Sequence, residues 1–460
     1  MKKLLAKKPT PDTKFKRFLL TIQPFIGVSI GAVATCLVCV IMGINLLVGL
    51  CLVCIALYAR FLYPKPDAYG VRMLHLLFLF VLVIATSYFI CQERLPATAL
   101  PLSAASLLAA ILFNDLVATF LVTLAVAVAM TAVCGNNCNL GLMTLISGMV
   151  GGLLVKGVRR RHTVIRAGFI AGCVQAGLLW ILNGFTVLNP REYALMVVNG
   201  LFYSVIVLGT LPMFEYLFKT ATNISLLELA DFNHPLLHRL MLEAPGTYHH
   251  SLIVGNLSEA ACSVVGANSL LARIGAYYHD VGKLEKAEYF SENQVIDSNK
   301  HDDLSPTMSK MVIMNHIKDG VDLARKNKLN PRIVDFIQQH HGTSLVYYFY
   351  RRALEKLEDD KQVQEEGFRY PGPKPATKEI AVVMLADSVE AATRTLKSPN
   401  SDSIKELVHK LINNKFIDGQ LDNCDLTLKD LERIATVFVH ILSGIYHSRI
   451  SYPEQKSGSS

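Results

Sequence analysis

Between Phe18 and Ala59 the chain carries no charged residue. An uninterrupted apolar stretch of that length does not fit inside the core of a soluble domain. It is long enough for two membrane-spanning helices, each of which needs ~20 mostly apolar residues. Gly43 and Asn45 supply the turn between them. Charges stay sparse as far as residue 218, and from Lys219 onward the composition is that of a soluble domain. The averages over 460 residues, 52% hydrophobic and 18% charged, therefore blend two unlike halves. Eight apolar runs qualify as spans, near residues 19–41, 43–60, 73–91, 98–113, 116–134, 140–158, 164–183 and 194–217. The fourth is short.

Loops on the cytoplasmic side of a membrane are enriched in Lys and Arg. With the N-terminus inside, the inside segments 1–18, 60–72, 114–115 and 156–166 hold 15 Lys and Arg, and the outside turns hold only Arg94 and Arg191. The opposite orientation reverses this bias. The expectation is a multi-pass protein of the cytoplasmic membrane with both termini and the soluble half in the cytoplasm. The opening "MKKLLAKK" is not read as a signal peptide, because the apolar run after it is too long and has no cleavage pattern. The "RRRH" run at 159–162 reads as a topology anchor, with an anionic-lipid contact as the rival reading. These loops hold much of the basic excess, so the net charge of +8 implies no nucleic acid polymer as partner.

Eight of the ten cysteines precede residue 180, mostly inside apolar runs, where they read as small packing residues. Cys134 and Cys138 flank a "GNN" turn and are spaced to pair if that turn faces outward. The soluble half has only Cys262 and Cys424 and no CxxC, which argues against a thiolate zinc site.

From residue 219 helix start and stop signals recur. Asn268, Ser305, Asn330, Thr377 and Thr427 stand where N-caps belong, Pro306 and Pro331 follow two of them, and Gly266 and Gly342 stand just past helix ends. No alternating strand pattern competes. The fold class expected is all-α: a transmembrane helix bundle over 1–218, stalk helices over 219–247 and a cytoplasmic helical bundle over 248–455. His234 and His238, in the stalk, read as structural.

Ligand-type side chains fall at the ends or on the apolar faces of five of these helices. They are His250, the pair His279–Asp280 in "YYHDVGK", His316, the pair His340–His341, and Asp387 inside the apolar run "VVMLADSVEAA". A carboxylate in such a run is costly to bury without a partner or a metal. Seven side chains are too many for one ion and suit two. With Asp280 bridging they make about eight bonds of the roughly twelve that two six-coordinate ions offer, leaving about four for water and phosphate oxygens. His and carboxylate ligands with open positions favour Mn²⁺ or Fe²⁺. Two such ions clamp a phosphodiester and acidify bound water. Lys283, one turn after Asp280, reads either as a cation for the developing phosphate charge or as an ordinary cation at a helix C-terminus. Tyr348 and Tyr350 in "LVYYFYRR" are candidates for base stacking, or core. Arg394, two turns past Asp387, meets either a substrate phosphate or only a surface acid.

The order H…HD…H…HH…D resembles the HD-domain metal-dependent phosphohydrolases. The stretches "APGTYHHS", "GAYYHDVGK", "SENQ", "QHHGTSLVYYFY", "YPGPKP" and "MLADSVEAATR" look more specifically like the membrane-anchored seven-transmembrane HD-domain phosphodiesterases that hydrolyse cyclic di-AMP. The likeness covers most of residues 90–395. It implies that His250, His279, Asp280, His316, His340, His341 and Asp387 are the metal ligands, with His250 favoured over His249 because it precedes a Ser. It implies cyclic di-AMP as substrate and pApA as product. The related cyclic di-GMP enzymes carry HHE and GYP, where this chain has "HHGTS". Family members commonly carry a large extracytoplasmic domain between the first two spans, which here are joined directly near Gly43. Two other readings stay open: a nucleotide-binding membrane receptor with weak turnover, and a phosphohydrolase for another nucleotide. The oligomeric state, homo-oligomer or not, is not legible. A reporter fused after Lys219 is expected to behave as cytoplasmic; an exported reporter would overturn the topology.

Overall fold

The computed structural model describes residues 66–185, 189–294, 300–355, 364–396 and 399–446. The expected spans at 19–41 and 43–60 lie outside the described residues. The chain divides into two compact units between Ile224 and Ser225. Among the described residues both units are helical, and the lone extended pairing is an isolated bridge between Leu345 and Arg369.

The first unit holds α1 (Pro66–Gln92), α2 (Ala104–Phe113), α3 (Leu116–Val133), α4 (Cys138–Leu154), α5 (Arg161–Leu182) and α6 (Pro190–Phe218). Four segments are long and apolar enough to cross a membrane: Leu74–Gln92, Leu116–Val133, Arg161–Leu182 and Pro190–Phe218. The expected spans at 98–113 and 140–158 are shorter apolar segments, Ala97–Phe113 and Cys138–Leu154. The first of these is not one helix. A single 3₁₀ turn, Ala97–Ala99, precedes α2, with Pro96 and Pro101 flanking it. Proline lacks the N–H that a continuous helix requires.

The broken backbone is hydrogen-bonded by side chains of α6. Asn199 Nδ2 donates to the carbonyls of Thr98 (2.6 Å) and Leu100 (2.9 Å), and Tyr203 Oη donates to Ala99 O (2.6 Å). In an apolar surround such carbonyls must find donors inside the protein. α2 is buried along its whole length from Ala104 to Leu112. The helices around it approach closely through small residues. Gly168 and Gly172 of α5 lie against Gly200, Ser204 and the Val197 backbone of α6, so a Cβ at either glycine would collide with its neighbours. This is the small-residue packing that lets helices associate without a hydrophobic driving force. The Cys134 thiol stands 2.6 Å from that of Cys91, whereas the Cys138 sulfur lies 4.0 Å from the Asn136 carbonyl oxygen. The neighbour of Cys134 is thus Cys91.

The second unit contains α8 (Pro235–Glu243), α9 (Pro245–Val264), α10 (Ser269–Tyr278), α11 (Pro306–Lys326), α12 (Pro331–Gln339), α13 (Tyr347–Glu355), α14 (Lys378–Thr393), α15 (Ser401–Ile417) and α16 (Leu428–Ile445), with α7 (Asn223–Leu229) at the division. Local chemistry sets these boundaries. Asn268 Oδ1 accepts from Leu271 N (3.0 Å), Ser305 Oγ from Met308 N (3.2 Å) and Asn330 Oδ1 from Arg332 N (2.9 Å). Thr427 and Asp430 form a reciprocal capping box. His234 caps α8 by accepting from Leu236 N (3.4 Å) and meets the Tyr278 ring edge-on. The core of the unit is α14. Ile380 through Asp387 are all buried there, and α9, α10, α12, α15 and α16 pack around it.

Asn199→Leu is expected to strip two buried carbonyls of their donor. Each unsatisfied group costs about 1–3 kcal/mol, so thermal unfolding of the detergent-solubilised protein should fall clearly below wild type. An unchanged transition would refute the role given to Asn199.

Candidate metal centre

Five elements converge in the second unit. α9 brings His250, and the turn after α10 brings His279 and Asp280. α11 brings His316, the end of α12 brings His340 and His341, and α14 brings Asp387. These seven side chains form two groups of four ligand atoms that share Asp280. One is Asp280, His316, His340 and His341; the other is His250, His279, Asp280 and Asp387. Within each group all four atoms lie inside 4.8 Å of one another. His249, by contrast, is exposed.

The sequence "HDVGK" makes this convergence. α10 ends at Tyr278, and a 3₁₀ run, Val281–Tyr289, takes over. His279 and Asp280 thus sit at the change of helix type with their side chains turned inward. Gly282 lies directly on the His316 carbonyl and the Gly320 backbone of α11, and any Cβ there would overlap them. That contact sets Asp280 Oδ1 3.4 Å from His316 Nε2 and 3.6 Å from His340 Nε2. Gly342, at φ +55°, turns the chain back just after the histidine pair.

Hydrogen bonding to backbone carbonyls fixes which ring nitrogen of three of the histidines faces inward. His279 Nδ1 donates to Ala276 O (2.7 Å), His316 Nδ1 to Ile313 O (2.5 Å), and His340 Nδ1 to Ile337 O (3.0 Å) and Phe336 O (3.1 Å). With Nδ1 protonated, the Nε2 of a neutral imidazole holds only a lone pair. Yet His316 Nε2 and His340 Nε2 face each other at 3.3 Å, and His279 Nε2 faces Asp280 Oδ2 at 3.2 Å. Acceptors opposed in this way repel unless a cation lies between them. His279 Nε2 and Asp280 Oδ1 are also buried without a hydrogen-bond partner. Buried orphans are rare in native proteins and demand a reason; a pair of divalent cations between these atoms supplies one.

Burial drives the pKa of His341 well below its usual value and that of His316 down to about 4, which keeps both rings in the neutral, ligating form. At His250 burial also pulls downward, but the carboxylates of Asp387 and Glu390 lift it to about 10. Burial alone would raise Asp280; the Lys283 ammonium paired with it holds it well below the carboxylate range instead.

Glu390 was not foreseen from the sequence. It is fully buried one turn beyond Asp387, and its Oε2 accepts from His250 Nδ1 at 2.5 Å. A carboxylate behind a histidine fixes its tautomer and aims Nε2 at the metal position. A second charged residue on the buried face of an apolar helix was the available signal. Arg394 turns to this same acid, with Nε and Nη2 both 2.6 Å from Glu390 Oε1. The partner of Arg394 is therefore an acid of the protein, but a buried one rather than the surface acid expected. The Lys283 ammonium is likewise engaged, 2.8 Å from Asp280 Oδ2 and 2.7 Å from Glu292 Oε1, above the Phe290 ring. Tyr348 is exposed, while Tyr350 packs on Phe368. The aromatic against the cluster is Tyr370, stacked on His341 at 4.4 Å.

Residues 38–222 match the family described as 7TM receptor with intracellular HD hydrolase, and residues 247–392 match the HD domain. The chain belongs to the 7TM HD-domain family. The cyclic-di-AMP phosphodiesterase PgpH of Bacillus subtilis (strain 168) is 44% identical over 373 residues, covering 77% of this chain and 51% of that protein. The protein of the same name from Listeria monocytogenes is 39% identical over 366 residues, covering 77% of this chain and 50% of that protein. The chain thus spans about half the length of the curated relatives it matches. The solved HD domain of L. monocytogenes PgpH is 46% identical and covers 47% of this chain and 100% of that one, at a TM-score of 0.45; its complex with cyclic-di-AMP matches at 45% identity with the same score. This is a membrane protein with an HD domain whose His and Asp cluster suits divalent metal.

Glu390→Gln is expected to weaken Mn²⁺ affinity about 10- to 100-fold in a metal titration, with helix content intact. Unchanged affinity would contradict the orienting role.

Proposed function

We propose that this chain is a metal-dependent phosphodiesterase that opens cyclic di-AMP to linear pApA at a pair of divalent ions, Mn²⁺ or Fe²⁺. The observation that carries the reading is the shared carboxylate: two four-atom ligand groups meet at Asp280, and lone pairs from His279, His316 and His340 converge with no proton between them. Relatives named cyclic-di-AMP phosphodiesterase, at 44% and 39% identity, support adenine as the base.

Bound there, two divalent ions supply Lewis-acid charge to a phosphate oxygen and acidify water for in-line attack. The chain's own residues hold and tune that pair. His250, His279, His316, His340, His341 and Asp387 would hold the ions, with Asp280 common to both ligand groups. Lys283 keeps Asp280 ionised and is itself aimed by Glu292. Arg394 steadies Glu390 behind His250. Tyr348, exposed just beyond the histidine pair, offers a ring face to a base, and Tyr350, packed on Phe368, is the second candidate.

The catalytic domain occupies 248–455, joined through the stalk at 219–247 to the membrane region at 1–218. It lies on the cytoplasmic side with both termini, a sidedness supported by the 15-to-2 bias of Lys and Arg in the loops. The substrate is a dinucleotide rather than a nucleic acid polymer.

The two phosphodiesters of the ring lie a dinucleotide apart, so a single cut is expected before release. Chromatography of the products from cyclic di-AMP should give pApA first, with chelator abolishing turnover. Preference for cyclic di-GMP would defeat the base assignment, and AMP without pApA would defeat the single cut. His341→Ala and Asp387→Ala are each expected to lower metal content and reduce turnover by at least about 100-fold, the scale of losing a group that acts only in the transition state. A fully active Asp387→Ala protein would refute the ligand set.

A further inference from the structure

Lys415 lies in the last turn of α15, a helix that contributes no ligand to the metal centre. A lysine in the final turn of a helix ordinarily points to solvent and complements the helix dipole. This one points inward. Its Nζ donates to Ser344 Oγ at 2.7 Å, and Ser344 is itself buried and tied to the histidine pair by donating from its backbone N to His341 O (3.0 Å). The loop that carries Ser344 is clamped to the end of α15. Gln420 Oε1 accepts from Thr343 N (2.9 Å), and Arg369 donates both to Thr343 O (3.0 Å) and to Asp418 (2.9 and 3.1 Å). The ammonium is therefore held beside the cluster by two elements that fix each other.

Its charge is not matched by that environment. Among the described residues no carboxylate lies within 4.0 Å of the Lys415 ammonium, and its hydrogen bond is to a neutral hydroxyl. An ammonium has three donors. The carboxylates that attract it from further away are Asp387 and Asp418. Asp418 is already occupied by the Arg369 guanidinium. Asp387 belongs to one of the two ligand groups, so a divalent ion bound there cancels its charge. Loading the centre then leaves a half-buried ammonium near cations with no counter-charge of its own, an arrangement that partial burial makes costly. An anion arriving with, or after, the metals restores the balance. A phosphate group has the charge and the free oxygens to accept from the unused ammonium donors.

We infer that the Lys415 ammonium binds a phosphate oxygen of the nucleotide held at the metal centre. The inference rests on the phosphodiester reading for the identity of the ligand and assigns it a contact from α15. It gives the site a cation besides Lys283, whose ammonium is committed to Asp280 and Glu292.

The test uses the full chain, Mn²⁺-loaded in detergent, with Lys415→Met, Lys415→Arg and, as control, Lys410→Met on the exposed side of the same helix. Metal content and thermal transition are measured first, then the affinity for inorganic phosphate by calorimetry, then turnover of cyclic di-AMP. Lys415→Met should keep both ions and lose phosphate affinity about 10- to 100-fold, the scale of one charge-assisted hydrogen bond. Most of the loss in turnover should appear in KM. Lys415→Arg should recover much of the phosphate affinity, and Lys410→Met should match wild type. Wild-type phosphate affinity in metal-replete Lys415→Met would overturn the inference. Loss of the ions in that variant would overturn it too, since Lys415 would then be a structural prop; so would failure of both Lys415→Met and Lys415→Gln to fold. Lys415-dependent phosphate binding in a wild-type protein that leaves cyclic di-AMP intact would remove the substrate reading while supporting the phosphate contact. Full turnover in wild type and Lys415→Met alike, with equal phosphate affinity, would remove the contact alone.

Discussion

A single buried carboxylate organises the second unit. Asp280 stands where the turn after α10, the face of α11 and the end of α12 meet, within 3.7 Å of the Nε2 atoms of His250, His279, His316 and His340. A charge in such a place is expensive, and its surroundings counter the cost in two ways. Lys283 holds one oxygen by direct ion pairing, and the other oxygen is left without a hydrogen-bond donor, directed at a point that imidazole lone pairs also address. The backbone carbonyls one turn earlier in each helix fix the rings by taking the Nδ1 protons. The helices therefore do more than enclose the cluster. Their own backbone carbonyls set the tautomers on which its chemistry relies.

The features legible in the sequence were those fixed locally. A cap residue and the amide it binds are two or three positions apart, so Asn268, Ser305, Asn330 and Thr427 could be assigned from spacing alone. The gathering of His250, His279, Asp280, His316, His340, His341 and Asp387 was legible for another reason: ligand-type residues at the ends of apolar helices are too costly to bury singly. What spacing could not reveal was which long side chain answers which charge. Lys283 and Arg394 were both weighed as cations for phosphate, and each is taken by an acid of the protein, Glu292 in one case and Glu390 in the other. Glu292 is brought back by the fold of the 3₁₀ run, and Lys415 by the packing of α15. Neither approach has a sequence period to announce it.

The membrane half shows the same division. Among the described residues hydropathy located the apolar segments, and those expected at 116–134, 164–183 and 194–217 end within four residues of their helices. It could not show that Ala97–Phe113 is interrupted, because a broken apolar segment and a continuous one have the same average hydropathy. The interruption survives because Asn199 and Tyr203, from a helix about one hundred positions later, donate to its carbonyls. Likewise Cys134 was read beside Cys138, its sequence neighbour, while helix packing sets it against Cys91.

The contact between Gly282 and the backbone at His316 and Gly320 has a consequence for phase. An α-helix turns by about 100° per residue. If the turn carrying Asp280 were to slide along α11 by a single position, His316 would swing roughly that far around its helix axis and leave the cluster altogether. Side-chain packing alone tolerates such slips, since one apolar knob can replace another in a neighbouring hole. Backbone lying on backbone, with no Cβ between, leaves no equivalent seat one residue along. The glycine therefore acts as an index mark: it sets the rotational phase of α11 against the HD turn, and with it the place where His316 comes to rest.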